Sequence, residues 1–393
     1  MSRSSKAGLA TAPPTVAPAP TISAINFFCQ AFGVADGYGK SADEICGALE
    51  RLGVQVHLIG SIWGAGHTNN PFIFRRYLDK LTDPVNSVQL SKPVVFYSLP
   101  TTWFPYANLA NGKNRGIGFS MFECDSLPAD WIPPLNNVEE IWVPSEYNRE
   151  TFQKFTKRPV HIVPLGVDAS RFPYYRRQRG AKLNFLHYST VGTETRKGAD
   201  LAIKAFQLAF PYRDDVYLEL RCSRMTWDKP IADQRIKATA GMLTDAELST
   251  LYNRFDALIY PSRGEGFGLI PLEAMASGMP TIHTGATGMA AFAHLGMTVD
   301  SRRVPAQVGA GRPMPANWIY REGFWQEPDL AGLVDHMRTV DRAYQSVMDK
   351  AAEDSKIVAR DFTWERTARV IQARLEKWDV PVQSPAVSVA SSV

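Results

Sequence analysis

The chain has 393 residues, 45% of them hydrophobic, and a formal net charge of +4. That length exceeds what one core usually supports, so two domains are expected, and so mild a charge, with no concentrated basic face, gives no nucleic-acid signal. Cys29, Cys46, Cys124 and Cys222 form no CxxC or Cys/His cluster, and no apolar run is long enough to span a bilayer. Reduced core thiols, no zinc site and a cytoplasmic setting are therefore expected.

Residues 1–20 are rich in Ala, Pro and Thr without an apolar h-region, and read as a disordered tail. Residues 21–29 predict the first strand, followed by a turn-rich loop through Asp36, Gly37, Tyr38 and Gly39. Ala42, Ile45, Ala48, Leu49 and Leu52 then recur at helical steps until Gly53. With a strand at 54–59, this opens a right-handed Rossmann-like unit, although the loop is not GxGxxG. Further strands are predicted at 94–99, 116–122, 140–143 and 160–164. Glu123 falls at a strand end, where open α/β sheets place ligand-contacting groups. It could orient a hydroxyl or polarise a reacting centre, and a surface ion pair is the alternative.

Residues 171–182 carry five cations and no acid. They read as a solvated linker, with contact to anionic lipid headgroups as the alternative, at about 1 kcal/mol per cation. A strand at 183–189 leads to Arg196, Lys197 and Gly198 and then to a helix through Leu201, Ala205 and Phe206. A strand at 216–220 and a helix at 246–255 follow. His187 and His283 are candidates for sugar or phosphate contacts or for structural roles.

Residues 257–287 organise the rest. Ala257-Leu258-Ile259-Tyr260 suits a buried parallel strand. The glycines of 262–268 let the backbone bend tightly and approach a ligand, and a helix with Pro271 in its first turn runs through Leu272, Met275 and Ala276 and ends at Gly278 and Pro280. The start of that helix offers free amides and a partial positive charge suited to phosphate. Glu265 and Glu273 stand eight residues apart and can accept hydrogen bonds from separate hydroxyl sets on either side of an anion held there. A sugar joined to a nucleoside through a diphosphate has that layout. Residues 284–288 are expected to pass close to the sugar. Residues 300–326 receive no assignment. Helices are expected at 329–341, 344–360 and after Thr363.

The run from Glu265 through Gly266, Phe267, Gly268, Leu269, Ile270, Pro271 and Leu272 to Glu273, with Ala-Met-Ala-Ser-Gly-Met-Pro after it, closely resembles the Glu-x7-Glu signature of the retaining glycosyltransferases of family 4, which have the GT-B fold. Residues 121–128 and 143–148 also resemble stretches of that family. The resemblance implies an α/β protein in which two Rossmann-like βαβ domains face a cleft. The acceptor-side domain would span 21–170, the linker 171–182, the donor-binding domain 183–360 and a helix crossing back to the first domain 361–379, with a disordered tail at 380–393.

The same resemblance implies roles. Glu265 and the amides of Phe267 and Gly268 would hold the donor sugar, Leu269 and Ile270 would present amides to phosphate, and Glu273 would hold ribose. Lys197 would bind the diphosphate; Arg196 either substitutes for an arginine that the family places further upstream or faces solvent. Gly37, Tyr38 and Gly39 would lie at the cleft floor, a simple tight turn being the alternative. Glu265, Lys197 and Glu123 are the catalytic candidates. The expected reaction moves a sugar from a nucleotide-diphosphate donor, a UDP- or GDP-sugar, to a hydroxyl on a glycan, lipid-linked or protein acceptor. Retention is expected, without a metal or a permanently bound cofactor. Peripheral contact with the inner face of a membrane is an alternative setting, and the sequence assigns no oligomeric state. A catalytically silent sugar-nucleotide-binding subunit and a GT-B epimerase are the rival readings. Acceptor choice is expected in loops 61–74 and 100–114, where Trp63, Trp103, Phe104 and Tyr106 could stack on a ligand or pack.

Overall fold

The computed structural model describes residues 23–29, 37–59, 89, 92–103, 116–189, 194–223, 231–306 and 319–376. Both expected tails, loop 61–74 with Trp63, and Phe104 and Tyr106 lie outside the described residues. Trp103 is packed in the first domain's core, its indole N–H donating to the Ser98 carbonyl at 3.2 Å.

Short, nearly unbroken apolar runs such as AINFF, VVFY and EIWV cannot leave one face in water, and they form a parallel sheet covered on both sides. Its strands are β1 (Ala24–Phe28), β2 (Gln55–Ile59), β3 (Val94–Tyr97), β4 (Gly116–Phe119), β5 (Glu140–Val143) and β6 (Val160–Ile162), in the order β2-β1-β3-β4-β5-β6. Helix α1 (Gly37–Arg51) links β1 to β2, and α2 (Glu146–Gln153) links β5 to β6.

A second parallel sheet holds β7 (Leu183–Ser189), β8 (Val216–Cys222), β9 (Ile236–Ala240), β10 (Ala257–Tyr260), β11 (Thr281–Thr284) and β12 (Met297–Val299), ordered β12-β11-β10-β7-β8-β9. Around it lie α3 (Ala199–Ala209), α4 (Asp245–Asn253) and α5 (Leu269–Ala276), α4 opening on a capping box between Thr244 and Glu247. In each sheet the strand order reverses once, between β1 and β3 and between β7 and β10. Such switch points leave a crevice beyond the carboxyl ends of the strands.

After β12 the chain makes an antiparallel ribbon, β13 (Ser301–Pro305) with β14 (Phe324–Pro328), then α6 (Leu330–Arg342), α7 (Tyr344–Asp361) and α8 (Trp364–Leu375). Helix α8 returns to the first domain. Ala368, Ile371 and Leu375 are buried in one core with Ile45 and Leu49 of α1. Thr367 donates to the Pro164 carbonyl at 2.7 Å, and Arg374 meets Glu140 at 2.6 Å. Burying Ile371 and Leu375 contributes about 1.5–3 kcal/mol each, which holds the crossing in place. Among the described residues no helix is long and apolar enough to cross a membrane. All four cysteines are buried.

Several expectations need correction. Gly37, Tyr38 and Gly39 form the first turn of α1 and not a loop. Tertiary anchoring overrides their low helix propensity, because the Tyr38 hydroxyl bonds Ser120 and the Met121 backbone at 3.3–3.4 Å. Helix α5 starts at Leu269, so Pro271 does fall in its first turn, and Gly268 makes the preceding turn in the left-handed region at φ 106°. The basic run connects the two domains with most of its residues exposed, but several of its cations have specific partners. Arg177 is buried and caps the carbonyls of Tyr252, Phe255 and Ser277, while Arg171 pairs with Glu44 and Asp245, Arg179 with Asp341, and Lys182 sits over the Tyr217 ring. Both histidines are fully buried and bonded to backbone, His187 to the Ile259 carbonyl at 3.0 Å and His283 to that of Leu295 at 2.9 Å. They are structural.

Candidate functional site

The two crevices face each other across a cavity of about 490 Å³, within the range typical of small-molecule sites. Its second-domain wall comes from the ends of β7 and β10 and the start of α5, and its first-domain wall from the start of α1 and the segment after β4.

Glu265 stands at the centre of the second-domain wall. Lys197 Nζ lies 2.6 and 2.8 Å from its two carboxylate oxygens, the Ser262 hydroxyl donates at 2.7 Å and the Tyr260 hydroxyl at 3.0 Å. Burial works against its charge, but Lys197 and Arg196 outweigh that and hold it below the usual carboxylate range. The turn at 284–288 does not line the cavity. It braces Glu265 from behind: Thr287 Oγ1 accepts from the Glu265 amide at 3.1 Å, and the Gly288 amide donates to the Glu265 carbonyl at 2.9 Å.

Arg196 does not face solvent. It is 7% exposed, donates to the Gly264 carbonyl and approaches Glu123 at 3.4 Å. Its Nε is buried without a partner among the described residues, a donor left free beside the cavity. The amides at the start of α5 have no intrahelical acceptor, and Phe267, Gly268, Leu269 and Ile270 line the same space. One end of the cavity therefore gathers Arg196, Lys197 and a helix start, which together favour an anion.

Glu123 is not a surface ion pair. Besides Arg196 it accepts the Tyr320 hydroxyl at 3.2 Å, and Tyr320 belongs to the segment that had no sequence assignment. The ribbon β13–β14 brings it there, held by Arg303 on Asp125 at 2.8 Å and by the Phe324 amide on the same carboxylate at 2.9 Å. Asn148 fastens the two walls from below. It accepts from the Phe122 amide at 2.6 Å and donates to the Gly266 carbonyl at 2.7 Å. Added Cβ atoms on Gly264 and Gly266 would fall 2.4 Å from the Glu123 carbonyl and 2.6 Å from Met121 Cγ, so these glycines allow close approach of the two domains.

Glu273, 4% exposed, forms the far end of the site. Burial raises its pKa even though Lys40 pulls the other way from 2.6 Å. Lys40, Tyr260, Tyr320 and Asn148 were not singled out from sequence. Only Asn148 carried any signal, through the family-like 143–148 stretch.

A family model described as family 4 glycosyltransferase in conflict systems matches residues 143–371, more than half of the chain. The chain belongs to this glycosyltransferase family. The D-inositol 3-phosphate glycosyltransferase of Paenarthrobacter aurescens (strain TC1) is 26% identical over 230 residues, 54% of this chain and 50% of that protein. The chain spans half or less of the length of such curated relatives. Among solved structures, sucrose-phosphate synthase from Thermosynechococcus elongatus aligns with a TM-score of 0.63 at 14% identity, over 91% of this chain and 99% of that one. WaaG, a glycosyltransferase involved in lipopolysaccharide biosynthesis, aligns at 0.56 and 15%, over 89% and 99%. These likenesses establish the GT-B fold for this family member.

Proposed function

We propose that this protein transfers a sugar from a nucleotide-diphosphate donor to a hydroxyl acceptor. The observation that carries the reading is the convergence of Arg196, Lys197 and the α5 amides on one cavity end, flanked by Glu265 and Glu273. In this reading the diphosphate lies against the cations and amides, Glu265 and the amides of Phe267 and Gly268 hold the sugar, and Glu273 receives the ribose. The first domain supplies the acceptor side through Tyr38, Met121 and Glu123.

Charge develops on the leaving phosphate as the glycosidic C–O bond breaks, so donors already aimed at that place lower the barrier most. Lys197 and the helix amides provide them without requiring a divalent ion. Arg196, oriented by Glu123, adds a second cation. The acceptor oxygen forms its bond to the anomeric carbon on the face the phosphate leaves, and the departing phosphate takes the acceptor's proton, which retains configuration. Domain apposition excludes water and so limits donor hydrolysis.

The test is a thermal-shift panel of UDP-, GDP-, ADP- and dTDP-sugars with Glu273→Ala alongside, followed by turnover with and without EDTA. One donor should raise the wild-type midpoint and raise the variant's less. No shift from any donor well above about 1 mM would refute the site, since even that affinity corresponds to roughly 4 kcal/mol.

A further inference from the structure

The carboxylate assigned above to ribose already has a partner from the other domain. Lys40, in the first turn of α1, places Nζ 2.6 Å from Glu273 Oε1 and 2.7 Å from Asp245 Oδ1. The other Asp245 oxygen meets Arg171 at 2.9 Å, and Arg171 reaches Glu44, one turn along α1 from Lys40, at 2.7 Å. Lys40, Asp245 and Glu273 all line the cavity that holds Arg196 and Lys197.

A carboxylate grips the adjacent hydroxyls of a ribose by offering an oxygen to each. Here Oε1 is occupied by an ammonium at contact distance, and Oε2 faces the Tyr252 hydroxyl at 3.4 Å. The ribose and Lys40 need the same atom. We propose that Lys40 is an internal competitor of the donor: nucleotide entry exchanges the Lys40–Glu273 contact for ribose hydroxyls, while Asp245 retains the ammonium. The inference rests on the donor-site reading given above. It makes a first-domain lysine a determinant of donor affinity. Asp245 is what makes the exchange affordable, because removing Lys40 from Glu273 leaves no bare cation in a poorly solvated place.

The experiment titrates the full chain with UDP, GDP, ADP and dTDP by calorimetry, comparing wild type with Lys40→Met and Lys40→Gln, each also in a Glu273→Gln background. Lys40→Gln keeps a polar group at the site and guards against loss of folding, which circular dichroism checks. The expected result is that the nucleotide bound by wild type binds about tenfold more tightly to both Lys40 variants, with the gain abolished when Glu273 is Gln, as a direct pairwise coupling requires. Unchanged affinity in folded variants overturns the competition. Weaker binding in both backgrounds also overturns it, because Lys40 would then be a ligand of the donor. If wild type and variants alike bind no nucleotide at about 1 mM, the donor-site reading fails and the exchange fails with it.

Discussion

Tyr320 of the second domain's ribbon segment donates its hydroxyl to Glu123 of the first domain at 3.2 Å, and its ring stacks on Phe122 with centroids 5.4 Å apart and planes 10° from parallel. The contact aims Glu123 at Arg196 across the cleft. Removing the hydroxyl in Tyr320→Phe should keep the stack and lose one hydrogen bond to a charged group, a change of about 1.5–3 kcal/mol. We expect kcat to fall about tenfold or more by that measure while KM for the donor changes little. A fall in KM-controlled binding alone would show that the contact only shapes the donor pocket.

Lys197 serves two ends, and a pair of variants separates them. Lys197→Ala should lower kcat by about 100 to 1,000-fold, as loss of one preorganised donor to a developing anion does. It also strands Glu265 in a buried place, at a stability cost of about 3–5 kcal/mol. Adding Glu265→Gln should restore much of the denaturation midpoint and none of the turnover. Activity recovering together with stability would contradict the assignment of Lys197 to the phosphate.

His187 predicts an acid limb of stability. Its Nδ1 faces the Ile259 carbonyl, which can only accept, so the neutral ring carries its proton there. Burial pushes the ring down to about 4 from the usual 6.5. The unfolded chain therefore binds the proton first, and the contribution is complete above 6.5 and lost as pH falls toward 4. A shift of that size corresponds to roughly 3 kcal/mol. Urea denaturation at stepped pH should show that slope in wild type and a flatter one in His187→Asn. Parallel profiles would refute it.

Gly264→Ala tests whether domain apposition is required. The new methyl would fall 2.4 Å from the Glu123 carbonyl, a backbone atom that cannot swing away. Because the clash lies between domains and not within either core, we expect turnover to be lost while most of the secondary structure is kept. Small-angle scattering should show a larger radius of gyration. An unchanged radius with normal turnover would mean that the walls part further than the structure shows.

The proposed donor side was legible where its parts are contiguous. Glu265, the glycines, the helix start and Glu273 lie within one strand-loop-helix unit, so local spacing alone brings them to one place. The buried parallel strands were legible for a similar reason, their apolar runs being too short and too continuous for other elements. The ribbon was not: SRRVP and FWQEP carry charges and no clean alternation, and each becomes a strand only when paired with the other across the register from Ser301 to Pro328.

What sequence by itself determined is the βαβ plan of both domains, the family signature and the Glu265–Glu273 run proposed for the donor, all set by interactions between residues near in sequence. The tertiary structure decided the partners: Lys40 on Glu273, Tyr320 and Arg196 on Glu123, Asn148 on Gly266, and the burial of Arg177, His187 and His283. A polar side chain has the same spacing in a sequence whether it ends in water or in a buried pair. Only the burial created when distant segments meet makes that pairing costly to break, and so only the folded chain distinguishes the two.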